Sequence, residues 1–181
     1  MILLLQGPPG SGKTYIGKRL SSELGILHVS KDDLKETFFD ALGNEEAETS
    51  KKLGMLSNKL LFKLIEKVPG NNSHIIIESN FDPELGKVEL INALGDKEIT
   101  IVEIFLTASN EVLKKRFKER WESGERHRGH VDDKRYADLE EYLSTKPRPL
   151  SFAKEIIEVD TEDKKEIIYQ KVLKEVKNYL P

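Results

Sequence analysis

Gly7-Pro8-Pro9-Gly10-Ser11-Gly12-Lys13-Thr14 follows the unbroken apolar run Ile2-Leu3-Leu4-Leu5 and precedes a stretch where Ile16, Leu20 and Leu24 recur every four residues. The octet satisfies G-x-x-x-x-G-K-[ST] at every fixed position, and its flanks read as the strand and helix that a phosphate-binding loop requires. Each residue type has a chemical reason. Glycines at 7, 10 and 12 let the backbone turn its N–H groups inward onto an anion, where a side chain would clash. The helix beginning at this point aims its positive end at the same anion. Lys13 can reach the β- and γ-phosphates, and the Thr14 hydroxyl can ligate Mg²⁺. Residues 7–14, with Pro8, Pro9 and Ser11 among them, are therefore the expected nucleotide cradle, and ATP and Mg²⁺ the expected cofactors.

Outward from the loop, short apolar runs alternate with amphipathic stretches, the pattern of a parallel sheet with helical crossovers. Leu27–Val29 reads as a second strand, and Leu34, Phe38 and Leu42 mark a helix after it. Thr49–Val68 reads as a long helix with Leu53, Leu56, Leu60 and Leu64 on one face. His74–Ile77 is a third strand, after which Asp82 caps a helix and Pro83 takes its first position. Ile99–Leu106 is a fourth strand, and Leu113, Phe117 and Trp121 form the apolar stripe of the next helix. Glu155–Val159 is a fifth strand and Lys164–Tyr179 a closing helix. Such a series predicts one α/β domain over residues 1–181, doubly wound in three layers, with its crevice at the C-terminal ends of the strands.

The chain has 181 residues, 38% hydrophobic and 34% charged, as expected of a single globular domain. Its net charge of -3 and pI near 5.9 exclude a broad, sequence-independent nucleic-acid binder, which needs excess Lys and Arg. The absence of cysteine excludes disulfides, thiolate metal sites and cysteine nucleophiles, and fits a reducing cytosol. Met1–Leu5 is too short for a signal-peptide core, and no run approaches the roughly 20 apolar residues that span a bilayer. A cytoplasmic protein without membrane partners is the expectation.

Strand ends on the loop's side of the sheet border the crevice. The second strand runs into Ser30-Lys31-Asp32-Asp33, where a carboxylate could take the proton of an attacking hydroxyl. Asp32 is assigned that role and Asp33 the helix cap. Glu78, at the end of the third strand, could hold a metal-bound water or hydrogen-bond an acceptor. Beyond the fourth strand, Lys114, Lys115, Arg116, Lys118, Arg120, Arg126, Arg128, Lys134 and Arg135 gather in a short span. Arg116 and Arg120 share a helical face, and the polar, Gly-flanked stretch after Trp121 suits a lid over residues 116–135. Guanidinium groups brought over the phosphates would neutralise charge on the transferring group. His127 and His130 have no acidic or Cys partners at ligand spacing, so no zinc site is expected there.

These motifs, in this order, resemble the P-loop kinase family that includes polynucleotide 5′-hydroxyl kinases, zeta-toxin-like kinases and small antibiotic or metabolite phosphotransferases. They are GPPGSGKT (7–14), VSKDDLKETF (29–38), IIIESNFDP (75–83), LKKRFKERWESGERHRGHVDD (113–133) and EIIEVDT (155–161). The resemblance implies a strand order of 2-3-1-4-5, a general-base role for Asp32, and phosphate contacts by Arg116 and Arg120. Lys35 falls where polynucleotide kinases use Arg on the acceptor phosphate, and Glu78 where they carry Asp. The implied activity is ATP-dependent transfer to a hydroxyl of a small-molecule acceptor, with Asp32, Lys35 and Glu78 on the acceptor side. A polynucleotide 5′-hydroxyl kinase is the alternative, favoured by the Asp32 motif and disfavoured by Lys35 and the acidic pI. A non-catalytic nucleotide-binding regulatory module is the alternative of another class. It would keep residues 7–14 but lack the base and the lid arginines.

Overall fold

The first strand, β1 (Ile2–Gln6), is buried at every position, because both of its faces are covered by helices. In the computed structural model, residues 1–42, 46–70, 73–124, 126–132 and 135–180 are described, of Ala47 only the backbone. Lys134 of the basic run, with residues 125 and 133 of the expected lid, lies outside them. After β1 come α1 (Lys13–Leu24), β2 (Leu27–Ser30), α2 (Lys31–Leu42), α3 (Ala47–Lys67), β3 (Ile75–Glu78) and α4 (Pro83–Leu94). The chain continues through β4 (Ile101–Thr107), α5 (Asn110–Glu122), a 3-10 turn (Arg128–His130), α6 (Tyr136–Ser144), β5 (Ile156–Asp160) and α7 (Lys165–Lys177). The five strands pair in parallel in the order β2-β3-β1-β4-β5, as expected.

Alternation along the strands divides the core in two. Leu3, Leu5, Ile76 and Ile104 face Ile16 and Leu20 of α1 and Tyr169 and Val172 of α7. Ile2, Leu4, Ile75 and Ile77 face Leu61 and Ile65 of α3 and Leu90 of α4. Each fully buried Leu or Ile contributes about 1.5–3 kcal/mol, which makes this sheet the rigid platform for the loops at its C-terminal edge. A smaller cluster of Leu113, Phe117, Leu139 and Leu143 fastens α6 to α5.

Three expectations shift. Helix α2 begins at Lys31, and Ser30 rather than Asp33 serves its first turn, its Oγ accepting from the Asp32 N–H at 3.1 Å. The buried face of α2 is Lys35 and Phe39, because α2 packs on α3 and the 128–130 turn, and Leu42 is left in solvent. On α3 the buried line runs through Leu53, Ser57, Leu61 and Ile65, with Leu56 turned outward. Asp82 caps α4 as expected, its Oδ1 accepting from the N–H groups of Glu84 and Leu85. Helix α6 was not anticipated, since its nine residues carry only Leu139 and Leu143 as a core signal.

Candidate active site

Gly7, Gly10 and Gly12 have φ of 141°, 85° and 88°, in the region that favours glycine. Gly7 is also a close approach: a Cβ there would lie 2.2 Å from the Leu106 carbonyl oxygen. Lys13 Nζ donates to the carbonyl oxygens of Gly7 at 2.9 Å and Pro8 at 3.0 Å, so the lysine lies along its own loop. Burial pushes Lys13 down to about 8, with the carboxylates of Glu78 and Asp32 pulling the other way. The hydroxyl of Ser11 is buried in the loop with no partner among the described residues.

At the start of α1, Thr14 Oγ1 donates to Glu78 Oε1 at 2.7 Å, and the other carboxylate oxygen of Glu78 meets His28 Nε2 at 2.9 Å. The Thr14 hydroxyl is a hard oxygen donor at the cavity's edge, of the kind Mg²⁺ accepts alongside waters and substrate phosphates. Among the described residues no group of three His, Asp or Glu is placed to hold a metal on protein ligands alone. The donor set therefore fits an ion that arrives with a nucleotide.

The facing wall is α2. Asp32 Oδ2 accepts from Arg126 Nη2 at 2.9 Å, while Arg126 Nε donates to Asp132 Oδ2 at 3.1 Å. One turn on, Glu36 Oε1 meets His130 Nε2 at 2.8 Å, and a further turn on, Asp40 Oδ1 meets His127 Nε2 at 3.1 Å. Asp32, Glu36 and Asp40 are spaced by four, so they line one side of α2 and the 126–130 segment lies along it. Gly129 makes the approach close, since a Cβ there would sit 2.7 Å from Phe39 Cγ. Burial would raise the Asp32 carboxyl, but Arg126, His130 and Lys31 outweigh it and hold it well below the usual carboxylate range.

The two lid arginines part company. Arg116 donates to Thr161 Oγ1 at 3.0 Å, to the Thr161 carbonyl at 2.7 Å and to the Gly10 carbonyl at 3.4 Å, stitching the loop to the end of β5. Arg120 donates through Nη2 to Asp132 at 3.1 Å, and its buried Nε has no partner among the described residues. Lys35 is 3% exposed, and no described residue hydrogen-bonds or ion-pairs with its ammonium. Burial, with Arg135, Lys31 and Arg126 nearby, pushes it down to about 8 against the pull of Asp32. Lys31 Nζ donates to the neutral Asn80 Oδ1 at 3.1 Å.

Lys13, Thr14, Asp32, Lys35, Glu78, Arg116 and Arg120 all line one cavity of about 1350 Å³, together with residues 9–12. Gly7 and Pro8 stand behind it and meet it through Lys13. Two residues escaped the sequence reading. Arg126 sat in the basic run but outside the four-residue spacing that singled out Arg116 and Arg120, and its partner Asp32 is 94 residues away. His28 is a lone histidine in a strand, with no local signal that its ring meets Glu78. Within the polar stretch after Trp121, Gly129, His130, Val131 and Asp132 are buried, whereas Trp121 is 39% exposed.

A family profile described as an AAA domain, AAA_33, matches residues 2–145. The chain is 32% identical over 95 residues to an adenylate kinase of Chlamydia caviae, covering 49% of this chain and 44% of that enzyme. It is 28% identical over 122 residues to a cytidylate kinase of Sulfurisphaera tokodaii, covering 66% of this chain and 62% of that one. It thus spans less than two thirds of either curated relative. Among solved structures, a candidate kinase of Chloroflexus aurantiacus superposes with a TM-score of 0.88 at 30% identity, covering 99% of this chain and 98% of that one.

Proposed function

We propose that this chain, which belongs to the AAA_33 family of P-loop kinases, transfers the γ-phosphoryl group of ATP to a hydroxyl of a small acceptor that carries an anionic group. The observation that carries the reading is the single cavity in which the Asp32 carboxylate stands across from Lys13 and Thr14. A phosphate acceptor is already ionised, whereas a hydroxyl must lose a proton as it attacks, and a carboxylate at this place supplies the base.

In this reading the N–H groups of residues 10–14 and the Lys13 ammonium hold the β- and γ-phosphates. Thr14 would hold Mg²⁺, with Glu78 accepting the hydroxyl proton of Thr14. When bound, Mg²⁺ supplies charge neutralisation on the β- and γ-oxygens. Arg116 and Arg120 stabilise the transferring group. The acceptor oxygen bonds to the γ-phosphorus, the bond to the bridging oxygen breaks to release ADP, and the hydroxyl proton passes to Asp32. Arg126 holds Asp32 at present, so the acceptor hydroxyl would take its place before transfer. Among the described residues Lys35, buried, has no hydrogen-bond or ion-pair partner and Lys31 is held only by a neutral amide; these are the surplus charges that an anionic acceptor would satisfy. A cytosolic location, where ATP is supplied, goes with this reading.

The test is ADP release measured against a panel of hydroxy acids, sugar phosphates, neutral sugars, nucleoside monophosphates and oligonucleotides with a free 5′-hydroxyl. Turnover with anionic hydroxyl compounds is expected. Turnover confined to nucleoside monophosphates would replace the hydroxyl by a phosphate acceptor. Turnover confined to oligonucleotides would replace the small molecule by a polynucleotide.

A further inference from the structure

The carboxylate beneath the phosphate loop has a second partner that the proposed chemistry does not use. Glu78 is buried, at the end of a strand of three isoleucines. A carboxylate in such a place must be met by donors on both oxygens to stay in one orientation. Thr14 Oγ1 donates to Oε1 at 2.7 Å, which turns the hydroxyl's lone pairs away from Glu78. His28 Nε2 meets Oε2 at 2.9 Å. The carboxylate can only accept, so Nε2 carries the hydrogen.

Three elements place that ring. His28 stands opposite Ile76 in the β2–β3 register, and Glu78 follows two residues later, so both side chains leave the same face of the sheet. Helix α1 covers that face, and it does so with Gly17. A Cβ at Gly17 would lie 2.5 Å from His28 Nε2, 2.8 Å from Cε1 and 3.0 Å from Cδ2. The helix that carries Thr14 thus leaves a glycine-sized space in which the histidine reaches Glu78.

We propose that His28 is a positioning residue for the metal-ligating hydroxyl of Thr14, acting through Glu78, with Gly17 as the space that admits its ring. The inference rests on the reading of Thr14 as the ligand of a nucleotide-borne Mg²⁺. A histidine that only filled the core would affect stability and nucleotide binding without regard to the ion. One that orients Thr14 affects the increment that Mg²⁺ adds.

The experiment is calorimetric titration of ADP into the whole chain, once with Mg²⁺ and once with EDTA. Parent, His28→Leu, His28→Gln and Gly17→Ala are compared. Loss of a hydrogen-bonding partner behind a metal ligand lowers metal affinity by about 10–100-fold. His28 stands one bond further out, behind Glu78, so the Mg²⁺-dependent gain in ADP affinity should fall severalfold, up to about tenfold, in His28→Leu, while affinity in EDTA stays within about twofold. His28→Gln, which keeps an N–H donor, should recover most of the gain. Gly17→Ala, which keeps His28 but displaces its ring, should lose it as His28→Leu does, and carries the test if His28→Leu does not fold. An undiminished gain in His28→Leu or Gly17→Ala overturns the inference, as do equal losses with Mg²⁺ and EDTA or a glutamine variant no better than leucine. A parent chain whose ADP affinity ignores Mg²⁺ refutes instead the reading of Thr14 as the ligand of a nucleotide-borne ion.

Discussion

The phosphate-loop wall of the cavity is made of backbone N–H groups, with a lysine tied to its own loop's carbonyls. The α2 wall is made of side chains, with Asp32, Glu36 and Asp40 each held by a cation or histidine of the 126–130 segment. A backbone wall is set by a contiguous octet and changes little when any one surface charge is removed. A side-chain wall depends on residues some 90 positions apart, and its strength moves with protonation. The first wall suits the invariant part of the proposed reaction, the nucleotide. The second suits the part that must open, admit an acceptor and close.

Lys13→Ala is the hardest blow to the first wall. Burial already disfavours the charged ammonium, so its removal should leave the fold unchanged while phosphoryl transfer falls to background. Thermal unfolding and turnover at saturating nucleotide check the two halves. Turnover within about tenfold of the parent would mean that Lys13 does not hold the transferring phosphates.

On the second wall, Asp32→Asn should cost about 10²–10⁴ in kcat, the usual loss on removing a general base. ATP affinity should barely change, because Asp32 bonds to Arg126 and bears on the loop only through its charge on Lys13. Asp33→Asn should be nearly silent, since Ser30 serves the first turn of α2. Steady-state kinetics on the two variants separate the adjacent carboxylates. A more damaged Asp33→Asn would exchange their roles.

The same division decides what could be read from residue order. The octet 7–14, the five strands and their alternation with helices are local or periodic signals, and the sheet order carried by the family resemblance is the one observed. Asp32, Lys13, Thr14 and both lid arginines do reach one cavity. Arg126 on Asp32, His28 on Glu78 and the burial of Lys35 were not legible, because each is a contact across elements whose only trace is one polar residue in an amphipathic stretch. Helix phase failed for the same reason. On α2 the tertiary contact with α3 and the 3-10 turn buries Lys35 and Phe39 most deeply, while Leu34 packs only partly on the core and Leu42 is left in solvent.

Gly129 tests whether the segment must lie this close to α2. Its missing side chain admits Phe39, and a Cβ would come within 3.0 Å of Phe39 Cγ, Cβ and Cδ2. Gly129→Ala should destabilise by about 1–3 kcal/mol, as overpacking of a filled site does. Gly54→Ala, whose Cβ would meet Lys31 at no less than 3.7 Å, is the control and should cost less than half as much. Denaturant titration measures both. Equal effects would mean that the segment yields freely and is not packed on α2 in solution.

The smallest expected effect is a graded one with pH. Burial lowers His130, while Glu36 and Asp32 pull it up and Arg126 and Lys35 push it further down. Glu36 is lowered by its hydrogen bond to His130 despite partial burial. A histidine whose folded value lies below its unfolded value contributes stability that is whole above about 6.5 and is lost as pH falls through that range. Carboxylates lowered in the folded state also lose their contribution on acidification, but at lower pH. Both groups act in one direction, and His130 acts first. Between pH 7.5 and 5.5, amide exchange across residues 126–132, corrected for its intrinsic pH dependence, should therefore accelerate severalfold, while β1 stays protected. His130→Gln should flatten the response, because glutamine keeps a hydrogen bond to Glu36 without titrating. Acceleration shared by β1 would make the effect global. A response that survives in His130→Gln would move it to other groups and leave the α2 wall as rigid, near neutral pH, as the backbone wall opposite.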